Sequence, residues 1–346
     1  MTERFDPENM FKSIWDFSEN LEDALKIGLD ITLNNSYVNV QNIVIAGMGG
    51  SAIGGDIMSI LEKENIDIPL IVCREYSLPN WVNKNTLVVC SSYSGNTEET
   101  LSALEDAVLK KAQVCGITTG GKIASRLHIL GKDVLLIPSG LQPRAALAFS
   151  FIPIAKLLEK AGVLDLNLDN WLDQTIKSLT KARDLYSRED EENPVYRLAK
   201  QIYLKIPIIY ADNSTLGVAA VRLKGQICEN GKMLAYHNEL PEFNHNEIVG
   251  WQNNVDLFEN LFVLWLADSS DNKRVKYRQE ITQNILNEVG VEQYVLEMEG
   301  NLFQERFLHS VHFGDWLSYW CAILHGTDPS PVEKIVRLKE ELERKS

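Results

Sequence analysis

Residues Ile43-Val44-Ile45-Ala46 lead directly into Gly47-Met48-Gly49-Gly50-Ser51-Ala52-Ile53-Gly54-Gly55-Asp56, and a helix-like segment follows through Leu61. A short β-branched run that breaks on glycines and resumes as a helix reads as strand, turn and helix. Such a turn is an anion cradle, because its backbone N–H groups point inward and the helix N-terminus adds partial positive charge. The spacing G-x-G-G-S-x-x-G-G is not the G-x-G-x-x-G of dinucleotide folds, and no Gly-Lys-Ser/Thr follows as in a Walker loop. Turns of this kind hold dinucleotides, nucleotides or sugar phosphates, and some are merely tight turns. The occupant has to be read from the rest of the chain.

Outward from this turn the same alternation repeats. Strand-like runs at Ile43–Ala46, Ile68–Cys73, Thr86–Cys90, Val114–Thr118 and Val134–Ile137 are nearly apolar, alternate with helical patterns and lack hairpin signals. They predict a parallel sheet covered on both faces. A long apolar helix from Arg144 to near Lys160 closes that layer. Upstream, Phe11, Ile14, Trp15, Leu21, Leu25 and Leu29 fall close to helical spacing, with Ile27 off the stripe, and predict a preliminary helix within 9–35. Downstream, a polar helical stretch from Leu166 to near Arg188 meets the acidic turn Glu189-Asp190-Glu191-Glu192-Asn193-Pro194, which reads as a link. Strands at Ile206–Tyr210, Leu261–Ala267 and Tyr294–Glu297, between helices near 214–228, 271–289 and 302–325, predict a second sheet. A charged helix, Val332–Arg344, follows. The expected organisation is a helical segment over 1–36, a first αβα domain over 37–165, a helical linker over 166–192 and a second αβα domain over 193–346.

The 346 residues suit two domains, and 45% hydrophobic with 24% charged residues describes a chain that buries a large core. A net charge of −14 argues against nucleic acid or an anionic membrane as partner. It also requires that any anionic substrate meet a pocket that is locally positive or rich in N–H donors. The five cysteines show no C-x-x-C pair, and Cys73, Cys90 and Cys115 sit in strand-like runs as small hydrophobes. The opening Met1-Thr2-Glu3-Arg4-Phe5-Asp6 does not resemble a signal peptide, and no apolar run approaches a membrane span. The cytoplasm is the expected compartment.

A second loop of phosphate type follows the third run: Ser91-Ser92-Tyr93-Ser94-Gly95-Asn96-Thr97-Glu98-Glu99-Thr100. Ser92, Ser94 and Thr97 offer three hydroxyls within six residues at a strand-to-helix turn. With helix N–H groups they can satisfy a dianionic phosphate without Lys or Arg. Asn96 and Glu99 have the spacing of a capping box, a structural role that competes with a functional one. A plain serine-rich turn is the bland alternative.

The stretches G-M-G-G-S, S-S-Y-S-G-N-T-E-E-T and Pro143-Arg144-Ala145-Ala146-Leu147 resemble the sugar isomerase (SIS) domain proteins. Together with Glu229-Asn230-Gly231-Lys232, Leu240-Pro241-Glu242-Phe243-Asn244-His245-Asn246-Glu247 and Leu338-Lys339, they resemble the bifunctional phosphoglucose/phosphomannose isomerase family over essentially the whole chain. The resemblance implies an α/β fold of two tandem SIS-type αβα sandwiches with mainly parallel sheets. It implies interconversion of hexose 6-phosphates, aldose to ketose, through a cis-enediol, with no cofactor and no metal. Gly50, Ser51, Ser92, Ser94 and Thr97 correspond to the family's phosphate-binding positions. Glu229 corresponds to the carboxylate that moves a proton between C1 and C2. Arg144 corresponds to the cation beside the reacting oxygens. His245 corresponds to a ring-opening histidine donated by the neighbouring subunit of a homodimer, and Lys339 to a lysine near the ring oxygen.

Taken singly, these residues have plainer readings. Glu229 at a helix end is ordinarily solvated, and Lys339 within Arg337-Leu338-Lys339-Glu340-Glu341 suits a salt-bridged surface helix. Arg144 differs, because a cation at the start of a helix is unfavourable unless an anion is near. Among the other histidines, His237 is the less suitable substitute for His245, and His128 and His325 read as structural. His309 and His312 lie three apart with Asp315 beyond, imitating a metal face without a further ligand of clear spacing. In some members of the family a threonine near the terminal helix accompanies use of mannose 6-phosphate, and Ser330 could supply that hydroxyl here. An aminosugar-phosphate isomerase would use the same anchor, and a non-catalytic sugar-phosphate-binding regulator would keep the serine loop without needing a base.

Overall fold

Parallel strands that are covered on both faces are apolar on both faces, and the runs at 43–46, 86–90, 114–118 and 261–267 fold as such strands here. A computed structural model describes residues 5–345. In chain order its elements begin with α1 (Met10–Trp15), α2 (Phe17–Leu29), β1 (Asn42–Ala46), α3 (Gly49–Leu61), β2 (Leu70–Cys73) and β3 (Thr86–Ser91). Next come α4 (Glu98–Leu109), β4 (Gln113–Thr118), α5 (Gly121–Ile129), β5 (Val134–Leu136), α6 (Ala148–Lys160) and α7 (Leu168–Tyr186). The chain continues with α8 (Pro194–Ile202), β6 (Ile206–Asp212), α9 (Gly217–Glu229), β7 (Tyr236–Leu240) and β8 (Leu261–Ala267). Last are α10 (Lys273–Glu288), β9 (Glu292–Glu297), α11 (Phe303–Leu324) and α12 (Glu333–Glu343).

The chain divides into two compact units. The N-terminal unit is Asp16–Thr180 with Asn301–Glu305, and the C-terminal unit is Lys181–Gly300 with residues 5–15 and 306–345. In the N-terminal unit the strand order is β2-β1-β3-β4-β5, every pair parallel. Val44, Ala46, Val88, Cys90 and Val114 pack under Ala103, Leu104 and Ala107 of α4 and Ile123 and Leu127 of α5 as one buried cluster. In the C-terminal unit the order is β7-β6-β8-β9, again parallel throughout. Its core joins Tyr210, Phe243, Val263 and Trp265 to Val275 and Leu286 of α10.

Both sheets reverse direction once. The chain leaves β1 for β2 on one side and returns to β3 on the other, and it does the same around β6 with β7 and β8. In open α/β sheets the crevice at such a reversal, beyond the C-terminal ends of the strands, is where ligands bind. The glycine turn after β1 and the serine loop after β3 flank that point in the first sheet.

Local details depart from the expected ones. The helix that was expected to open at Arg144 starts at Ala148, because Ala145 N and Ala146 N both donate to Gln142 O and close a separate turn first. Arg144 is therefore in a turn and not at a helix terminus. Helix α3 starts at Gly49, so Gly54 and Gly55 are buried helical positions and not part of a cradle. The capping box at Asn96 does not form. Thr97 is the N-cap of α4 without a side-chain cap bond, and Asn96 Oδ1 accepts from Lys122 N at 3.1 Å instead. The acidic turn serves α8, where buried Asn193 accepts from Val195 N at 2.9 Å ahead of Pro194. Among the described residues no helix is long and apolar enough to cross a membrane.

Candidate active site

At the C-terminal edge of the first sheet three loops are fastened together by backbone and hydroxyl groups. Ser51 Oγ accepts from Tyr93 N at 3.1 Å, tying the turn after β1 to the loop after β3. Within that loop Ser92 Oγ lies 2.8 Å from Thr97 Oγ1 and accepts from Gly95 N at 3.2 Å, while Ser94 Oγ accepts from Asn96 N at 3.2 Å. A hydroxyl carries one donor proton and two acceptor lone pairs, so an accepted N–H leaves the proton for a ligand. The hydroxyls of Ser51 and Ser94 are held in this donor-ready state, and the Ser92–Thr97 pair, which uses one of its two protons between its own oxygens, keeps the other for a ligand. The third loop arrives from β5. A Cβ on Gly50 would lie 2.6 Å from Pro143 O, so only glycine lets the α3 terminus meet the Pro143–Arg144 turn. Gly95, at φ +67°, is held as tightly, with Gly120 O where its Cβ would be.

The N-terminal unit thus brings Gly50, Ser51, Ser92, Ser94, Thr97 and Arg144 to one sheet edge, with Arg144 only 4% exposed. The arrangement suits an anion: neutral hydroxyl and N–H donors, the start of α4, and one permanent cation in the adjoining turn. The reversal point of the second sheet is its opposite in charge. There Asp268 is clasped by Arg306 Nε and Nη2, both at 2.8 Å, and its Oδ1 accepts from Ser270 N at 2.8 Å. Burial opposes the Asp268 charge, but Arg306 and Ser270 outweigh it and hold the carboxyl below its ordinary value. Buried Asp212 and Asp271 add further carboxylates at the same edge. That edge repels phosphate.

Glu229, His245 and Lys339 belong to the C-terminal unit. Glu229 closes α9 and, half-buried, lines a cavity of 820 Å³ with Lys232, Thr327, Asp328, Lys334 and Ile335. That volume is in the range of small-molecule sites. Lys232 ties its walls together, because its Nζ donates to Glu229 O and, at 3.0 Å, to Pro329 O. Behind Glu229 the α9 helix is clamped to α11: Arg222 Nη2 and Gln226 Nε2 reach Asp315, and Asn230 Nδ2 donates to Ser318 Oγ at 3.0 Å.

His245 does not line this cavity. It is exposed at the end of the short turn Glu242–His245, whose Phe243 is fully buried 4.4 Å from the Tyr210 ring. Asn244 Nδ2 donates to Thr282 Oγ1 at 3.0 Å, and Glu247 accepts from Tyr210 OH and Asn238 Nδ2, so the turn is fixed while its histidine faces outward. Burial lowers the His237 pKa, against the charge of Glu239. Lys339 is exposed on α12, one turn beyond Ile335, and is not a cavity-lining residue; Lys334 is. The cavity hydroxyl is that of Thr327, whereas Ser330 is buried at 1% and not on the wall.

The His309/His312 pair is built into the α11 interior. His312 Nε2 accepts from Trp316 Nε1 at 3.2 Å, and burial, with help from His309 and Arg183, pushes its pKa down to about 3. Asp315 is engaged by Arg222. Among the described residues these three do not form a group that could hold a metal ion. Sequence reasoning missed Tyr93 and Lys232, although both stand inside stretches it quoted, and Thr327, three residues before Ser330.

Residues 191–342 match the family model of the bacterial phospho-glucose isomerase C-terminal SIS domain. A bifunctional phosphoglucose/phosphomannose isomerase from Caldicellulosiruptor bescii is 42% identical over 335 residues, covering 96% of this chain and 98% of that one. A protein of the same name from Aquifex aeolicus is 39% identical over 305 residues, covering 88% and 91%. Among solved structures, a hypothetical protein from Thermus thermophilus superposes with a TM-score of 0.74 at 17% identity, over 97% of this chain and 90% of that one, a likeness of fold alone. With its two parallel sheets and a relative matched nearly end to end, the chain belongs to the bifunctional phosphoglucose/phosphomannose isomerase family.

Proposed function

We propose that this chain is a metal-independent aldose–ketose isomerase that interconverts glucose 6-phosphate and mannose 6-phosphate with fructose 6-phosphate. The observation that carries the reading is Glu229 on the wall of the cavity, since a regulator that only bound sugar phosphate would need the anion cradle but no base. In this reading Gly50, Ser51, Ser92, Ser94 and Thr97 hold the phosphate. Glu229 removes the C2 proton of the open-chain aldose, and the C–H electron pair becomes the C1=C2 bond of a cis-enediol as O1 takes a proton. Return of the proton to C1, with the O2 proton lost as the C2=O2 carbonyl forms, gives the ketose. Both aldoses lose their C2 stereochemistry in that enediol, so one base serves both. The Arg144 guanidinium offsets charge that develops on the oxygens. Lys339 assists at the ring oxygen.

The test is an assay of the purified chain with glucose, mannose and fructose 6-phosphates, with and without EDTA. Conversion of both aldoses to fructose 6-phosphate at rates unchanged by the chelator is expected. Turnover of aminosugar phosphates alone would move the reading to the other isomerase class.

The active form in this reading is a homodimer in which His245 opens the sugar ring in the neighbouring subunit. Its outward position on a fixed turn supports that role. Mixing inactive His245→Ala with inactive Glu229→Gln protomers should restore part of the activity. No recovery in verified heterodimers would count against a shared site.

A further inference from the structure

We propose that Tyr93 is a positioning residue that couples the phosphate loops to the Arg144 turn. The inference rests on the reading of Ser51, Ser92, Ser94 and Thr97 as the phosphate anchor and of Arg144 as the cation at the reacting oxygens. Tyr93 stands in the middle of the serine loop, yet its side chain is not a hydroxyl of the cradle. Its partners lie on three other loops of the same sheet edge. Tyr93 N donates to Ser51 Oγ at 3.1 Å, Tyr93 O accepts from Thr119 N at 3.0 Å, and its phenolic oxygen accepts from Leu141 N at 3.0 Å. The last of these holds the segment that turns at Gln142 and delivers Arg144. Gln142 O accepts from Ala145 N at 2.8 Å and Ala146 N at 3.1 Å, so fixing Leu141 fixes the turn that carries the guanidinium. Burial raises the phenol pKa, against the Leu141 bond, so the group stays a neutral hydroxyl at physiological pH. A phosphate that pulls on Ser51 and Ser92 therefore acts on the same residue that sets where Arg144 sits.

Tyr93→Phe removes one oxygen and leaves the ring, the backbone bonds and the cradle hydroxyls in place. Because small misplacements of a catalytic group cost up to about 100-fold in rate, the variant is expected to lose about 10- to 100-fold in kcat. Its KM for fructose 6-phosphate and its inhibition constant for inorganic phosphate should stay within about twofold, since the anchor is untouched. In an Arg144→Ala background the same change should cost less than about twofold further, because both act through one group. The proposal is overturned if Tyr93→Phe keeps wild-type kcat while Arg144→Ala is crippled, or if the two losses multiply. It is also overturned if phosphate inhibition weakens in step with kcat, which would make Tyr93 part of the anchor. Full activity in Arg144→Ala would instead remove the assignment of Arg144 itself, and the coupling with it. Matching melting temperatures of Tyr93→Phe and the parent chain separate positioning from unfolding.

Discussion

Glu229→Gln is expected to bind hexose 6-phosphates as the parent chain does and to lose isomerisation by about 10²- to 10⁴-fold, the usual contribution of a positioned base. The amide keeps the size and shape of the carboxylate at the end of α9, with NH2 in place of one oxygen, so the cavity wall and the Lys232 tie to the backbone oxygen of residue 229 are preserved. What it loses is the ability to accept a proton from carbon. The decisive readout is exchange of the C2 hydrogen of glucose 6-phosphate into deuterated water, followed by NMR, because exchange reports proton abstraction even where product release limits turnover. Loss of exchange with an unchanged inhibition constant for inorganic phosphate is the expected pair of results. Exchange at the parent rate would take Glu229 out of the mechanism, and loss of phosphate affinity would show that the change had reached the cradle.

The sheets were legible in the sequence because their central strands β1, β3, β4 and β8 are buried on both faces and so form nearly uninterrupted apolar runs. Strand β7, Tyr236-His237-Asn238-Glu239-Leu240, was not, because it is an edge strand paired only to β6 and its middle residues are polar and only half-buried. The Arg144 turn was misread as helix for a related reason: Ala145-Ala146-Leu147-Ala148 is equally apolar in a turn and in a helix, and the bonds to Gln142 O decide between them. The cradle hydroxyls could be named from one loop, since Ser92, Ser94 and Thr97 are local. Tyr93 could not, because its partners Ser51 and Leu141 are 42 and 48 residues away and the bonds run to backbone or hydroxyl groups that leave no pattern in the sequence. Lys334 and Thr327 reach the Glu229 cavity through the packing of residues 327–335 beside the end of α9, which periodicity alone does not reveal.

The clamp behind Glu229 carries the largest expected effect on stability. Arg222 and Asp315 are each 5% exposed, and Arg222 Nη2 donates to both carboxylate oxygens at 2.9 and 2.8 Å while Gln226 Nε2 adds a third bond at 2.7 Å. Burying two charges costs free energy that their attraction repays only when the geometry is complete. Asp315→Asn breaks the pair from one side and leaves the guanidinium charge buried without its counter-ion. The expected cost is about 3–5 kcal/mol, lowering the melting temperature by something on the order of 10 °C. Replacing both partners with apolar residues of similar size, Arg222→Met with Asp315→Leu, removes the stranded charge and should recover most of that stability. Activity should follow a different course. Arg222, Gln226 and Glu229 recur on α9 at intervals of four and three, so they share a face, and the clamp sets the angle at which that face meets α11. The double variant should therefore melt near the parent temperature yet turn over more slowly, with KM less affected than kcat. A double variant that melts no higher than Asp315→Asn would show that the cost arises from lost packing and not from the unpaired charge.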